Sequence, residues 1–153
     1  MSELSPADRR VLSVLQDDAD RSRKDMAERA GMSASSFWRR ATELQRRGLV
    51  RGRVTLLDPI RAGFPVCVLL SVNLKDHDEA TQRGFETLIQ STPEVMECFS
   101  VTGGFDYVMI IRTPTIQAFE ALLMKRILGH SSVDSASSQI ALRQHKYTTA
   151  LPL

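Results

Sequence analysis

Apolar positions in the first fifty residues recur every three or four places, in short bursts. Val11, Leu12 and Leu15 share one helical face, Met26, Ala27 and Ala30 a second, and Phe37, Ala41 and Leu44 a third. That spacing predicts helices rather than strands. Ser5-Pro6-Ala7-Asp8 adds a hydroxyl N-cap, a proline at the first helical position and an acid three residues after the cap. The polar run 17–21 ends the first helix, and a second is predicted over 23–30. Gly31 can adopt the left-handed backbone of a sharp turn. Ser33 then caps a third helix over 34–47, which Gly48 ends. Three short helices, the last two joined by a glycine-containing turn, predict a helix-turn-helix.

From residue 49 the period changes. LVRGRVTLL (49–57) reads as a strand or arm, Asp58-Pro59 as a turn, and Gly63 and Pro65 as the punctuation of a domain boundary. VCVLLSVNL (66–74) is an apolar run of β type, and residues 77–90 carry helical spacing through Ala80, Phe85, Leu88 and Ile89. EVMECFSVT (94–102) and FDYVMIIRT (105–113) predict two strands joined at Gly103-Gly104. A helix over 115–128 and a last strand over 133–147 complete the order βαββαβ, the ferredoxin-like arrangement. The chain is thus α+β, with a helix-turn-helix domain over 1–49, a linker strand or arm over 50–63 and a ferredoxin-like domain over 64–153. Two helices cover one face of the antiparallel sheet. The other face needs a cover, and self-association through it is expected.

Composition narrows the class. The chain has 153 residues, 42% apolar and 25% charged, which suits one ordinary domain or two small ones. No apolar run approaches the roughly 20 residues that span a bilayer. The start, MSELSPADRR, lacks the basic-then-apolar order of a secretory signal. Cys67 and Cys98 sit in apolar strand segments, and two cysteines make neither a disulfide framework nor a zinc site. A cytoplasmic location, buried thiols, no membrane association and no cofactor are expected. The net charge of +2 conceals an asymmetry: residues 1–62 carry thirteen Lys and Arg against nine Asp and Glu, and residues 63–153 seven against nine. Arginines 39, 40, 46, 47, 51 and 53 fall in one stretch with Glu43 as the sole acid of 34–53, where a polyanion would be met.

On the third helix, Ser35 and Ser36 are short hydroxyls able to approach base edges or phosphates. Arg39 and Arg40 could pair with guanine or hold a phosphate. Arg46, Arg47 and Arg51 lie farther along, where backbone contact and plain solvation are both open. Trp38, beside the core position Phe37, is read either as half-buried against the first helix or as touching DNA. His77, His130 and His145 could act as bases in a small enzyme. None has a ligand-spaced partner or a nucleophile motif beside it, so solvated or structural roles fit better.

Four stretches in order carry a resemblance. They are Asp8-Arg9-Arg10-Val11-Leu12 with Leu15-Gln16; Met26-Ala27-Glu28-Arg29-Ala30-Gly31-Met32-Ser33; Arg40, Leu44 and Gly48-Leu49-Val50; and Val101-Thr102-Gly103-Gly104-Phe105-Asp106-Tyr107. With the tail KYTTALPL (146–153), they resemble the opening helix, second helix and turn, recognition helix and exit, effector loop and tail of the Lrp/AsnC (feast/famine) family of transcription regulators. The likeness spans essentially the whole chain. It implies a regulator, not an enzyme, that binds double-stranded operator DNA through the first domain. It also implies dimers assembling into larger rings, commonly octamers (tetramers of dimers). A small effector, usually an amino acid, would bind between subunits near the 103–107 loop.

In that frame Thr102, Gly103, Gly104, Phe105 and Asp106 are the candidate effector site, with Ser138 as a weaker member. The glycines let the backbone present N–H groups to a carboxylate, although a Gly-Gly hairpin needs no ligand to explain it. Asp106 could accept an α-ammonium or simply bond to backbone N–H groups. Tyr107 could be core. The chain departs from the family at four places. Ala19-Asp20-Arg21 replaces a Gly-Arg-apolar triplet, which displaces the second helix or makes Arg21 snorkel. Arg53 replaces an aromatic, Gly104 a polar or charged residue, and Ala136 a threonine. The last two keep open a regulator that works without a small molecule.

Overall fold

The computed structural model describes residues 4–17 and 20–153; Asp18 and Ala19, part of the expected 17–21 helix break, lie outside them, as do Met1, Ser2 and Glu3. The chain forms two compact units that do not follow chain order. Met1–Thr55 joins with His145–Leu153, and Leu56–Gln144 makes the other.

The first unit holds α1 (Pro6–Asp17), α2 (Arg23–Arg29) and α3 (Ala34–Arg46). Each helix starts where a side chain satisfies its free N–H groups. The Ser5 hydroxyl accepts from the Asp8 amide at 3.1 Å and donates to Asp8 Oδ2 at 2.7 Å, while the Ser5 amide donates to the same oxygen at 3.3 Å. This is a capping box with aspartate in the acid position. Ser22 accepts from the Asp25 amide and Ser33 from the Ser36 amide. Arg21 precedes the Ser22 cap and reaches Asp25 at 3.5 Å, so α2 starts where expected. Gly31 makes the turn before α3 with φ at +67°. Phe37, Ala41 and Leu44 from α3 bury against Val11, Leu12, Met26, Ala27 and Ala30. Arg10 Nε donates to the Ala30 carbonyl at 3.2 Å, tying α1 to the end of α2. The tail is fastened to the same unit. Gln16 Nε2 donates to the Leu151 carbonyl at 2.7 Å, and the Leu151 amide donates back to Gln16 Oε1 at 3.0 Å.

The second unit is a four-stranded antiparallel sheet in the order β2 (Val95–Ser100), β3 (Tyr107–Thr113), β1 (Val66–Leu74), β4 (Val133–Ile140). α4 (Glu79–Gln90) and α5 (Ile116–Leu122, running into a π turn over Leu123–Ile127) cover one face. Asp78 caps α4, and the Thr81 amide it accepts holds its carboxyl below the usual range. Thr115 caps α5. Val68, Leu70, Val72 and Leu74 from β1 alternate into the core with Phe85, Leu88, Phe119 and Ile127 of the helical layer. The register pairs Leu69 with Ile110 and Phe99 with Val108, all on the opposite face. No helix of this unit covers that face, and Leu69 and Phe99 remain 39% and 52% exposed.

One expectation needs correction. The last strand ends at Ile140, not 147. Its partner β1 starts at Val66, and after the Ala141 amide donates to the Cys67 carbonyl no neighbouring backbone is left to pair with. Of the two readings of residues 49–57, strand or arm, the arm fits: among the described residues no strand pairs with them, and Val50 and Arg53 lie against the helices while the rest is exposed. The strands expected over 94–102 and 105–113 are also trimmed at their hairpin ends.

The capping box gives a pH dependence. Hydrogen bonding from Ser5, then from Arg40, holds the Asp8 carboxyl below its usual value of about 3.9. A depressed folded pKa means that the stabilisation is present above the unfolded pKa and is lost as pH falls through the folded one. Asp8→Ala is expected to cost about 1–2 kcal/mol at neutral pH. In thermal melts across pH, wild type and variant should converge once the pH drops well below 4.

Candidate DNA-binding helix and effector loop

The burial of α3 divides its side chains by direction. With Phe37, Ala41 and Leu44 fixed in the core, Ser35 and Arg39 lie one turn apart on the exposed side. Among the described residues Arg39 has no carboxylate partner. Ser36 is half-buried at the helix start. The later arginines differ from it. Arg46 is held by Glu43 through two hydrogen bonds at 2.9 and 2.8 Å, which keep the Glu43 carboxyl below its usual pKa and neutralise the local charge. Arg47 is exposed and caps the end of α3, its amide donating to the Glu43 carbonyl.

Arg40 has a partner that its own helix could not foretell. Its guanidinium donates to Asp8 Oδ1 at 3.0 Å, so the carboxylate that caps α1 through Oδ2 holds α3 through Oδ1. The pair fixes the direction of Arg40 and leaves part of its guanidinium edge facing outward. Trp38 lies on the flank of α3 rather than on its exposed crest. Its ring meets Phe37 edge-on at 5.2 Å, and Arg23 and Arg53 sit 4.7 and 5.9 Å from its centroid. The half-buried reading of Trp38 fits this setting. Its neighbours, however, are α2 and the arm as well as the first helix, and neither arginine was singled out as a partner of Trp38 from the sequence.

In the second unit, the β2–β3 connection forms the candidate effector loop. Thr102, Gly103, Gly104 and Phe105 are exposed, and Gly103 has φ at +123°, a conformation closed to most side chains. A Cβ added at either glycine would meet no atom within 4 Å, so the loop tip is open. Among the described residues, no backbone N–H of 102–105 donates a hydrogen bond within the chain. Asp106 is used differently. Its amide donates to the Val72 carbonyl at 3.1 Å, and its Oδ2 accepts from the Leu74 amide at 2.8 Å. The residue therefore locks the loop to the end of β1. Its second oxygen, Oδ1, lies 3.9 Å from His77 Nδ1, an ion pair whenever that imidazole is protonated.

Ser138 is exposed on β4 opposite Leu70, with β1 between it and Asp106. Among the described residues no hydrogen bond joins Ser138 to residues 102–106. Tyr107 packs its ring 4.7 Å from Phe85, and burial, then the charge of Glu86, pushes its phenol pKa up. The core reading fits it. Burial pushes the Cys98 thiol to about 11, which keeps it protonated and unreactive. Among the described residues no group of three His, Cys, Asp or Glu could hold a metal ion, and no helix is long and apolar enough to cross a membrane.

Two family models match the chain: Lrp/AsnC ligand binding domain over residues 67–151, and winged helix-turn-helix DNA-binding over residues 4–51. The HTH-type transcriptional regulator Zrp of Zymomonas mobilis is 30% identical over 145 residues, 95% of this chain and 94% of that protein. A solved AsnC family transcriptional regulator from Agrobacterium tumefaciens superposes with a TM-score of 0.91 at 33% identity, covering 97% of this chain and 96% of that one. A transcriptional regulator from Neisseria meningitidis, solved as its complex with L-methionine, superposes at 0.93 with 29% identity over 98% and 97% of the two chains.

The Asp106 lock is measurable. Asp106→Ala removes the acceptor of the Leu74 amide, a loss of about 1 kcal/mol. Hydrogen exchange at Leu74 should accelerate while exchange at the centre of β1, around Leu70, stays slow. Equal acceleration at both positions would show a global rather than a local role.

Proposed function

This chain belongs to the Lrp/AsnC family and is a DNA-binding transcriptional regulator of that type, and we propose that it docks α3 in the major groove of its operator. Ser35 and Arg39 then face base edges, Ser36 and Arg47 hold backbone phosphates, and Arg40, braced by Asp8, contacts phosphate or guanine with its outward edge. Trp38 is assigned to packing on the flank of the helix rather than to base contact. The observation that carries this reading is Arg39: exposed on the side of α3 opposite the core, with no carboxylate to satisfy it among the described residues.

The second part of the proposal concerns the effector. An amino acid binds at residues 102–105, whose unused backbone N–H groups suit a carboxylate. The L-methionine complex of the Neisseria regulator supports the ligand class. Asp106 acts here as the anchor of the loop, and the partner for an α-ammonium comes from a neighbouring subunit, as does Ser138. Self-association through the open sheet face, around Leu69, Phe99, Val108 and Ile110, builds the dimer, and dimers assemble further. The protein acts in the cytoplasm, where operator and metabolite meet.

Arg39→Ala should weaken binding to a selected operator fragment by about 1–3 kcal/mol, roughly five- to a hundredfold. Arg46→Ala should change it little, because Glu43 already neutralises that side chain. Gel-shift titration compares them, and unchanged affinity in Arg39→Ala would refute the docking. A thermal-shift screen of the standard amino acids should raise the melting temperature for at least one, since ligand binding to the folded state alone stabilises it. A screen without a hit would overturn the effector reading in favour of a ligand-independent DNA-binding organiser.

A further inference from the structure

A groove of about 490 Å³ runs along the flank of α3, bordered by Leu15 of α1, Arg23 of α2, Trp38 and Gln45 of α3, and Arg53 of the arm. Its lining contains two arginines and no acid. Arg23 and Arg53 both approach the one indole, at 4.7 and 5.9 Å. Both are exposed, and among the described residues neither forms an ion pair with a carboxylate. Four other arginines of this unit are paired with carboxylates, Arg21 and Arg29 with Asp25, Arg40 with Asp8 and Arg46 with Glu43, whereas Arg39, like Arg23 and Arg53, is not among the described residues.

Two like charges beside one ring repel each other, and the attraction of the ring offsets only part of that. An anion between them removes the repulsion. A guanidinium held by an aromatic ring also keeps its N–H donors available for an oxyanion, and those donors match the oxygens of a phosphate. Thr42 and Gln45 add neutral polar groups to the same wall. The α3 residues of its lining, Trp38, Ala41, Thr42 and Gln45, span two turns of one flank of the helix, which fits a strand backbone passing across it.

We propose that Arg23 and Arg53, braced by Trp38, form a second phosphate-binding site that grips the DNA backbone beside the groove entered by α3. This rests on the docking of α3 proposed above. The arm then contributes to DNA binding through Arg53, in addition to connecting the units. The site reads no bases; it sets how strongly, and in what register, the helix is held.

The test uses the full chain and its only tryptophan. Binding of a labelled duplex carrying a selected operator is measured by anisotropy over a range of salt concentrations. Wild type is compared with Arg23→Gln, Arg53→Gln, the double variant and Arg39→Ala. Each phosphate contact contributes about 0.9 to the slope of log affinity against log salt. The double variant should lower that slope by close to two units and weaken binding at least tenfold, with an unchanged melting temperature. Trp38 emission should shift on adding duplex to wild type and not to the double variant. An unchanged slope in the double variant, with Arg39→Ala still weakening binding, would overturn the second site and leave the docking of α3 intact. If wild type binds no duplex, the docking fails and this site with it. A Trp38 response to inorganic phosphate alone, with the DNA slope unchanged, would replace the proposal with a small-anion site.

Discussion

A carboxylate has two oxygens that can be engaged in different directions, and each unit of this chain depends on one aspartate that does so. Asp8 closes the N-terminus of α1 with Oδ2 and holds Arg40 of α3 with Oδ1. Asp106 accepts the Leu74 amide with Oδ2 and turns Oδ1 toward His77. In both cases a residue that stabilises local backbone also sets the position of the element proposed to act. α3 is therefore oriented by more than its buried stripe, and the loop over 102–106 is anchored at one end while its tip stays open.

The charge of α3 is divided more finely than its composition suggests. Six arginines between 39 and 53 look like one basic signal, but Arg46 is neutralised by Glu43 and Arg40 is partly committed to Asp8. Arg39 stands apart at the crest, and Arg23 and Arg53 gather at Trp38 on the flank. A net charge counts these alike. A partner meets separate surfaces, one on the exposed side of the helix and one beside it.

Much of the architecture was legible in the sequence because local physics dominates there. The stripes through Val11, Met26 and Phe37 are the buried ones, and Ser5, Ser22, Ser33, Asp78 and Thr115 cap where such residues cap. From the sequence, none of Ser22, Asp78 and Thr115 is named as a cap; the helices are expected to start at 23, 77 and 115, against 23, 79 and 116 in the structure. The span of β1 agrees to the residue. The failures are non-local. Where β4 ends depends on where β1 begins, and the choice left open for residues 49–57, strand or arm, depends on having a strand to pair with. At the site, the exposed setting of Ser35 and Arg39 follows from periodicity. The Asp8–Arg40 pair, separated by 32 positions, and the clustering of Arg23 and Arg53 do not. Ser138 joins the loop by resemblance alone, and β1 lies between it and Asp106 within one chain.

The reciprocal bonds between Gln16 and Leu151 have a consequence for biosynthesis. The helical unit is made of two stretches that are distant in sequence, Met1–Thr55 and His145–Leu153, with the whole sheet between them. On the ribosome its three helices emerge before the sheet, yet the segment that bonds to Gln16 is translated after it. The sheet is synthesised in full before the helical unit receives residues 145–153, so the Gln16–Leu151 bonds form only once the sheet has emerged.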